Sequence, residues 1–285
     1  MTMSGSSRLL TKLNETVLTH KYYEAHQLLK TLNFRYSASK KYDELETLLS
    51  DHSVFFLDNK QFESGMDVAI MIANLHKAAG NQPTDIRILN ALCLLKKMPP
   101  SPERGQFLHL ILEWAGSSEL SDKLNSFAVQ MYIAERGYDE AWRHVVRLND
   151  GKVAAIYLLQ IVQDIGSAIK REELGLITAH LVVTLLAAKK VAQAEQALIT
   201  MVQTQDVKQL SPLLNGIRYL VEAAKTNDPP AFQAIQKLYD LSFSRDPSLQ
   251  KLVGAAGKSL FNITDERSTN GGGFMSLFSA FMNNS

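Results

Sequence analysis

The chain has 285 residues, 46% hydrophobic and 21% charged, which suffices for a large core in one or two domains or one elongated helical array. Lys and Arg number 30 against 29 Asp and Glu, and this balance of +1 excludes net charge as a driver of binding to nucleic acid or acidic membranes. The one cysteine, Cys93, excludes an internal disulfide and a cysteine-based zinc site.

The first seven residues lack the apolar core of a signal peptide. Apolar runs such as Leu181 to Ala188 fall short of the roughly 20 residues that span a bilayer, so a soluble cytosolic or nuclear chain is expected. Leu9, Leu10, Leu13, Val17 and Leu18 recur at helical spacing and predict a first amphipathic helix. A second runs from about Tyr22 to Ser37, with Ala25, Leu28, Leu29, Leu32 and Tyr36 inward. A third carries Leu45, Leu48, Leu49 and Val54 to Leu57, and Gly65 reads as a break before a helix from Asp67 to Ala79. Thr84 or Asp85 is placed to cap the next helix. Cys93 lies in its apolar run and reads as a buried structural thiol. Ser101 as cap and Pro102 at the first helical position open the sixth helix.

Helices are predicted onward over 121–136, 138–148, 152–165, 171–189, 191–204, 211–225, 230–244 and 247–261. No stretch shows the sustained alternation of a strand, so the predicted fold is all-α with about fourteen helices. Tyr22-Tyr23-Glu24-Ala25, Lys41-Tyr42-Asp43-Glu44 and Gly137-Tyr138-Asp139-Glu140-Ala141 repeat one way of starting a helix, and Val191 to Glu195 is a weaker copy. An aromatic ring fills the corner, acids favour the positive helix end, and Ala permits close approach. Such recurrence marks a tetratricopeptide-like α-solenoid of antiparallel pairs, degenerate because the starts keep no 34-residue period. Two solenoid halves, 1–148 and 149–262, precede a polar Gly-rich linker and apolar tail over 263–285. In that tail Phe274, Met275, Leu277, Phe278 and Phe281 suit either capping of the solenoid end or docking in a partner's groove.

No catalytic, cofactor or metal residue is assigned. Gly254 to Ser259 ends like a phosphate-binding loop but has the wrong glycine spacing and no preceding strand, so its small residues are read as close helix packing. The seven histidines form no i, i+4 pair, and His26 and His180 read as packing or partner-surface residues. A hydrolase would need a nucleophile–base motif that the sequence lacks.

The run Tyr22 to Gln27, then Thr31, Arg35-Tyr36 and Lys41-Tyr42, resembles the N-terminal signature of the Golgi-to-ER-traffic protein four family. Ser64 to Val68, Ser101 to Arg104 with Trp114, Leu260 to Ile263 and Gly272 to Leu277 extend the likeness along the chain. The resemblance implies a non-enzymatic solenoid adaptor for post-translational delivery of tail-anchored membrane proteins to the ER. Its N-terminal half would bind the targeting ATPase. Its C-terminal half would bind a ubiquitin-like-domain protein and, as in animal members, a large chaperone scaffold.

By position, the resemblance makes Tyr22, Tyr23, His26, Arg35, Lys41 and Asp67 candidates for the ATPase face. Tyr23, Ala25, Leu28 and Tyr36 also fit a core at helical spacing, and Asp67 also fits a helix cap. His26, Arg35 and Lys41 are expected at the surface, since the two formal cations would need buried partners. Relatives carry further acids on the helix that begins at Asp67, whereas Val68 to Ala79 has none here, so the resemblance implies anchoring by that helix and leaves regulation by it open. Gln203 to Leu213 is too short for the β-hairpin of fungal relatives. A structural subunit of a large assembly, proteasome-lid-like or initiation-factor-like, is the competing reading. Such subunits usually end in a winged-helix module, which the polar tail argues against.

Overall fold

One turn geometry recurs along the chain and sets its architecture. At His20, Lys40, Lys60, Arg136, Lys189 and Asn227 the backbone is left-handed, with φ between 52° and 61°. The following residue sends its N–H back to the preceding helix: Lys21 to the Thr16 carbonyl at 2.8 Å, Lys41 to Tyr36 at 3.0 Å, Gln61 to Phe56 at 2.8 Å. This is the bonding of a Schellman C-cap. The carbonyl of that same residue then accepts the first bond of the next helix, as from Ala25 to Lys21 at 2.9 Å. One residue therefore ends one helix and starts its neighbour, and an aromatic (Tyr22, Tyr42, Phe62 or Tyr138) stands at the first helical position.

The computed structural model describes residues 5–166, 173–204 and 210–263. The chain divides into two compact units, Met1–Leu124 and Asn125–Ser285. The first holds α1 (Gly5–Leu18), α2 (Tyr22–Ala38), α3 (Tyr42–Asp58), α4 (Phe62–Ala79), α5 (Asp85–Lys97) and α6 (Pro102–Ala115). Helix α7 (Glu119–Ala134) contains the boundary residues. The second holds α8 (Tyr138–Val145), α9 (Gly151–Ile165), α10 (Leu174–Ala187), α11 (Val191–Thr204), α12 (Pro212–Lys225), α13 (Pro229–Leu238), α14 (Asp240–Phe243) and α15 (Pro247–Phe261). Among the described residues there is no strand, and the fold class is the all-α solenoid that the repeats predict.

In the first unit α1 packs on α2, α2 on α3 and α4, α3 on α4 and α5, and α6 on α4 and α5. Leu29, Leu45, Leu49, Phe56, Ile88 and Phe107 are wholly buried between these layers. In the second unit α9 packs on α11, and α10 lies against α11, α12 and α15. At Gly151 α9 approaches α11 closely: a Cβ there would stand 1.9 Å from the Gln193 carbonyl oxygen. The buried His180 donates from Nε2 to Asp246 Oδ2 at 2.7 Å, tying α10 to the residue that caps α15. In α15, Gly257 lets the Phe232 ring approach, so that part of the small-residue run serves packing.

Three expectations change. Helix α4 begins at Phe62 and runs through Gly65, because a Cβ there would meet the Leu57 side chain at 2.7 Å. The glycine is a contact point between α3 and α4 and not a break, and its carbonyl accepts from Ser53 Oγ at 2.9 Å. Cys93 is exposed: α5 turns Ile88, Ala91, Leu94 and Leu95 inward, which leaves the residue one step before Leu94 outside. The helix expected over 230–244 is split at Tyr239 into α13 and α14, giving fifteen helices among the described residues. The start expected at 171 lies among residues 167–172 outside the description, and α10 is described from Leu174. The tail residues Phe274, Met275, Leu277, Phe278 and Phe281 also lie outside the described residues, as does 205–209 in the segment judged too short for a hairpin.

Candidate partner-binding face

Helix α2 turns Ala25, Leu29, Leu32 and Tyr36 into the core. At 3.6 residues per turn, Tyr23, Gln27, Lys30 and Phe34 then share the opposite face. All four are exposed, Tyr23 at 76% and Phe34 at 77%. The core reading therefore holds for Ala25 and Tyr36, in part for Leu28, and fails for Tyr23. Two uncovered aromatic residues flank a lysine on one ridge.

Beside the ridge stands an ionic node. Asp67, inside the second turn of α4, accepts from His26 Nε2 at 2.7 Å and lies 2.9 Å from Lys30 Nζ. The helix-cap role for Asp67 is thereby overturned, because α4 starts five residues earlier. His26 is not the open surface group expected; it is 9% exposed, with its ring edge-on to Phe56 of α3 at 5.9 Å. Its place between the α3 ring and the α4 carboxylate buries it. Asp67 keeps 41% of its side chain exposed, so the node presents one carboxylate and one ammonium to solvent.

The other candidates sit apart. Tyr22 is a corner piece: its hydroxyl donates to Asn59 Oδ1 at 3.1 Å, pairs with His20 Nδ1 at 2.9 Å, and its ring lies 5.9 Å from Phe55. Arg35 is exposed about 100° around α2 from Phe34, on the flank of the ridge. Lys41 precedes α3, pairs with Glu44 at 3.0 Å and lies 5.8 Å over the Tyr36 ring. The Glu44 hydrogen bond comes first among the causes that raise its pKa. The geometry thus brings Tyr23, His26 and Asp67 together, adds Lys30 and Phe34, and leaves Tyr22, Arg35 and Lys41 around the margin. The signal for Phe34 was in the sequence, as an aromatic out of register with the inward residues of its own helix.

What this arrangement offers is recognition. Exposed aromatic residues beside a charged pair supply rigid contact area with a polar guide at its edge. Further along α4, Lys77 pairs with Glu113 of α6 at 2.8 Å, so that end of the helix is engaged within its own unit. No helix of the described residues is long and apolar enough to cross a membrane, and no group of three or more metal-ligating side chains occurs among them.

The sequence model of the family described as Golgi to ER traffic protein 4 matches residues 39–282. Among similar proteins, Golgi to ER traffic protein 4 homolog B of Xenopus laevis is 27% identical over 280 residues, spanning 95% of this chain and 85% of its own length. The homolog of Homo sapiens is 26% identical over 291 residues, 99% of this chain and 88% of that protein. The crystal structure of C. therm. Get4 superposes with a TM-score of 0.74 over 96% of this chain and 95% of that one. At 20% identity that likeness concerns the fold. The α2 ridge lies before residue 39, so it is covered by the pairwise likenesses and not by the family match.

Proposed function

The chain belongs to the Golgi to ER traffic protein 4 family, and on that premise we propose that it is a non-enzymatic adaptor in the delivery of tail-anchored membrane proteins to the ER. The N-terminal half, 1–148, binds the targeting ATPase of that route. The C-terminal half, 149–262, and the tail over 263–285 bind a ubiquitin-like-domain protein and a larger chaperone scaffold that holds the client. The handoff takes place in the cytosol. Holding both partners on one chain replaces a bimolecular encounter with a local transfer at high effective concentration.

The observation that supports this reading best is the α2 ridge, where Tyr23 and Phe34 stand exposed on either side of Lys30, next to Asp67. Tyr23 and Phe34 serve as anchors, and Lys30 and Asp67 fix the register of a partner with charges of both signs. Anchoring is assigned to this face, and nucleotide sensing is not, because α4 has no acid after Asp67.

Mass photometry of the chain mixed with the targeting ATPase and the ubiquitin-like partner tests the bridge. A ternary complex is expected, and deletion of 270–285 should remove the ubiquitin-like partner while sparing the ATPase. Mutually exclusive binding of the two would refute the adaptor role.

A further inference from the structure

The two most exposed large apolar side chains described in the second unit lie next to each other. Leu238, the last residue of α13, is 78% exposed, and Leu241 of α14 is 86% exposed. The backbone keeps turning through the break at Tyr239, with the Phe243 N–H on the Tyr239 carbonyl at 3.0 Å, so residues three apart stay on one side of this elbow. Tyr219 of α12, 41% exposed, joins them through the Tyr239 ring, whose centroid is 6.2 Å from its own. A lone exposed leucine needs no explanation, but a cluster does. Its margin is basic: Arg218, Lys237 and Arg245 are exposed, and the Arg218 guanidinium lies 5.2 Å from the Tyr219 ring centre. The nearby carboxylate of Asp240 already accepts from Gln250 Nε2 at 2.9 Å.

The chain leaves α15 beside this elbow. Asn262 is left-handed at φ 56°, and the Ile263 N–H bonds the Gly257 carbonyl at 3.3 Å. The Phe261 ring is edge-on to Phe232 of α13 at 5.3 Å. From Phe232 to Leu238 the helix rises about 9 Å. Residues 264–273 separate Ile263 from Phe274. A flexible chain of that length reaches about 17 Å r.m.s. and about 33 Å at full extension. The reach of the linker thus matches the span to the elbow, and a segment tethered in that way attains a millimolar effective concentration.

The tail sequence has the pattern that such a surface selects. Phe274, Leu277, Phe278, Phe281 and Met282 recur at i, i+3, i+4, i+7 and i+8, one stripe of a helix, with Ser276 and Ser279 off it. A stretch this short does not hold a helix in water, so the stripe needs an apolar surface to form on. The stretch 274–282 carries no charge, and the linker before it sets Asp265 and Glu266 against Arg267, an acidic excess that a basic margin attracts.

We propose that the segment 274–282 docks in cis on the α13–α14 elbow as a short amphipathic helix, covering Leu238, Leu241 and Tyr219. Its Phe and Leu side chains supply the buried contact, and Asp265 and Glu266 lie toward the basic margin. Tail and elbow then hide each other's apolar surface, and a partner that takes the tail uncovers the elbow. The inference concerns the chain by itself and does not rest on the adaptor reading.

The test uses the full chain with no partner present, carrying 13C-labelled leucine methyls, Cys93→Ser to remove the native thiol and a nitroxide on Asn284→Cys. The nitroxide should broaden the methyls of Leu238 and Leu241, and the effect should fall about fivefold in Phe278→Asp/Phe281→Asp, two changes outside α1 to α15. A mixture of isotope-labelled chain without nitroxide and unlabelled chain with it should show no broadening, because the contact is within one chain. Deuterium uptake by 274–282 should be about fivefold slower in the parent than in Leu238→Glu/Leu241→Glu, two exposed positions whose replacement leaves the core intact. Equal broadening in the Phe278/Phe281 variant, broadening in the mixture, or equal uptake with and without the elbow leucines overturns the proposal.

Discussion

Asp67 holds two donors from a neighbouring helix, His26 at 2.7 Å and Lys30 at 2.9 Å, while 41% of its side chain stays in solvent. Replacing it with Ala leaves a nearly buried imidazole without its acceptor. Because the carboxylate is well solvated, Asp67→Ala should cost only about 1 kcal/mol of unfolding free energy, read by urea titration. Binding at the ridge should fall much further than stability. His144 contributes to the pH dependence of stability. Burial, with Arg147 and Arg143 adding to it, pushes its pKa from 6.5 down to about 4. As pH falls the unfolded chain takes up this proton first, so the stabilisation is complete above 6.5 and is lost between there and about 4. The shift corresponds to about 3 kcal/mol. His144→Asn, which keeps a donor for Asn125, should flatten that part of the stability–pH curve; an unchanged slope would refute the assignment. The lowered pKa values of His52, His76 and His180 act with the same sign. Tyr23 entered as a candidate from the N-terminal signature and Asp67 from the stretch Ser64 to Val68. The burial of His26 was not legible, since it depends on Phe56 and Asp67 reaching it from two other helices.

Helix starts were legible wherever an aromatic is followed by acids, because that local chemistry serves both the corner and the helix end. The copy at Phe62-Glu63 escaped because Gly65 follows three residues later and reads as a breaker, when its lack of a side chain serves α3 packing. Gly65→Ala should therefore force α3 and α4 apart and cost about 2 kcal/mol. Gly105 inside α6 has open space where a Cβ would go, and Gly105→Ala should stabilise by about 0.5–1 kcal/mol. Chemical denaturation of the two variants should give opposite signs, and equal signs would contradict this account of the α3–α4 contact. The split between α13 and α14 has no Gly or Pro to announce it. Tyr239 and Phe243 pack where a Gly216 Cβ would stand, at 2.8 and 3.0 Å, so tertiary packing sets the break.

At the scale of the whole chain, a balanced charge of +1 leaves recognition to local patches. The all-α class and the repeat grammar were readable because amphipathic periodicity persists through most of the sequence. What the tail over 263–285 does was not, since its apolar residues serve a cap or a partner equally well by composition. The surface proposed here for the ATPase is the α2 ridge of the first unit. The most direct test of that claim is a calorimetric titration of the full chain and of Tyr23→Ala/Phe34→Ala against the targeting ATPase, with and without ATP. Both side chains are more than three-quarters exposed, so the double variant should unfold at the same midpoint as the parent. The account predicts that the parent binds and that the double variant binds about a hundredfold more weakly. Equal affinity of the two, or no binding by the parent in either nucleotide state, would contradict it.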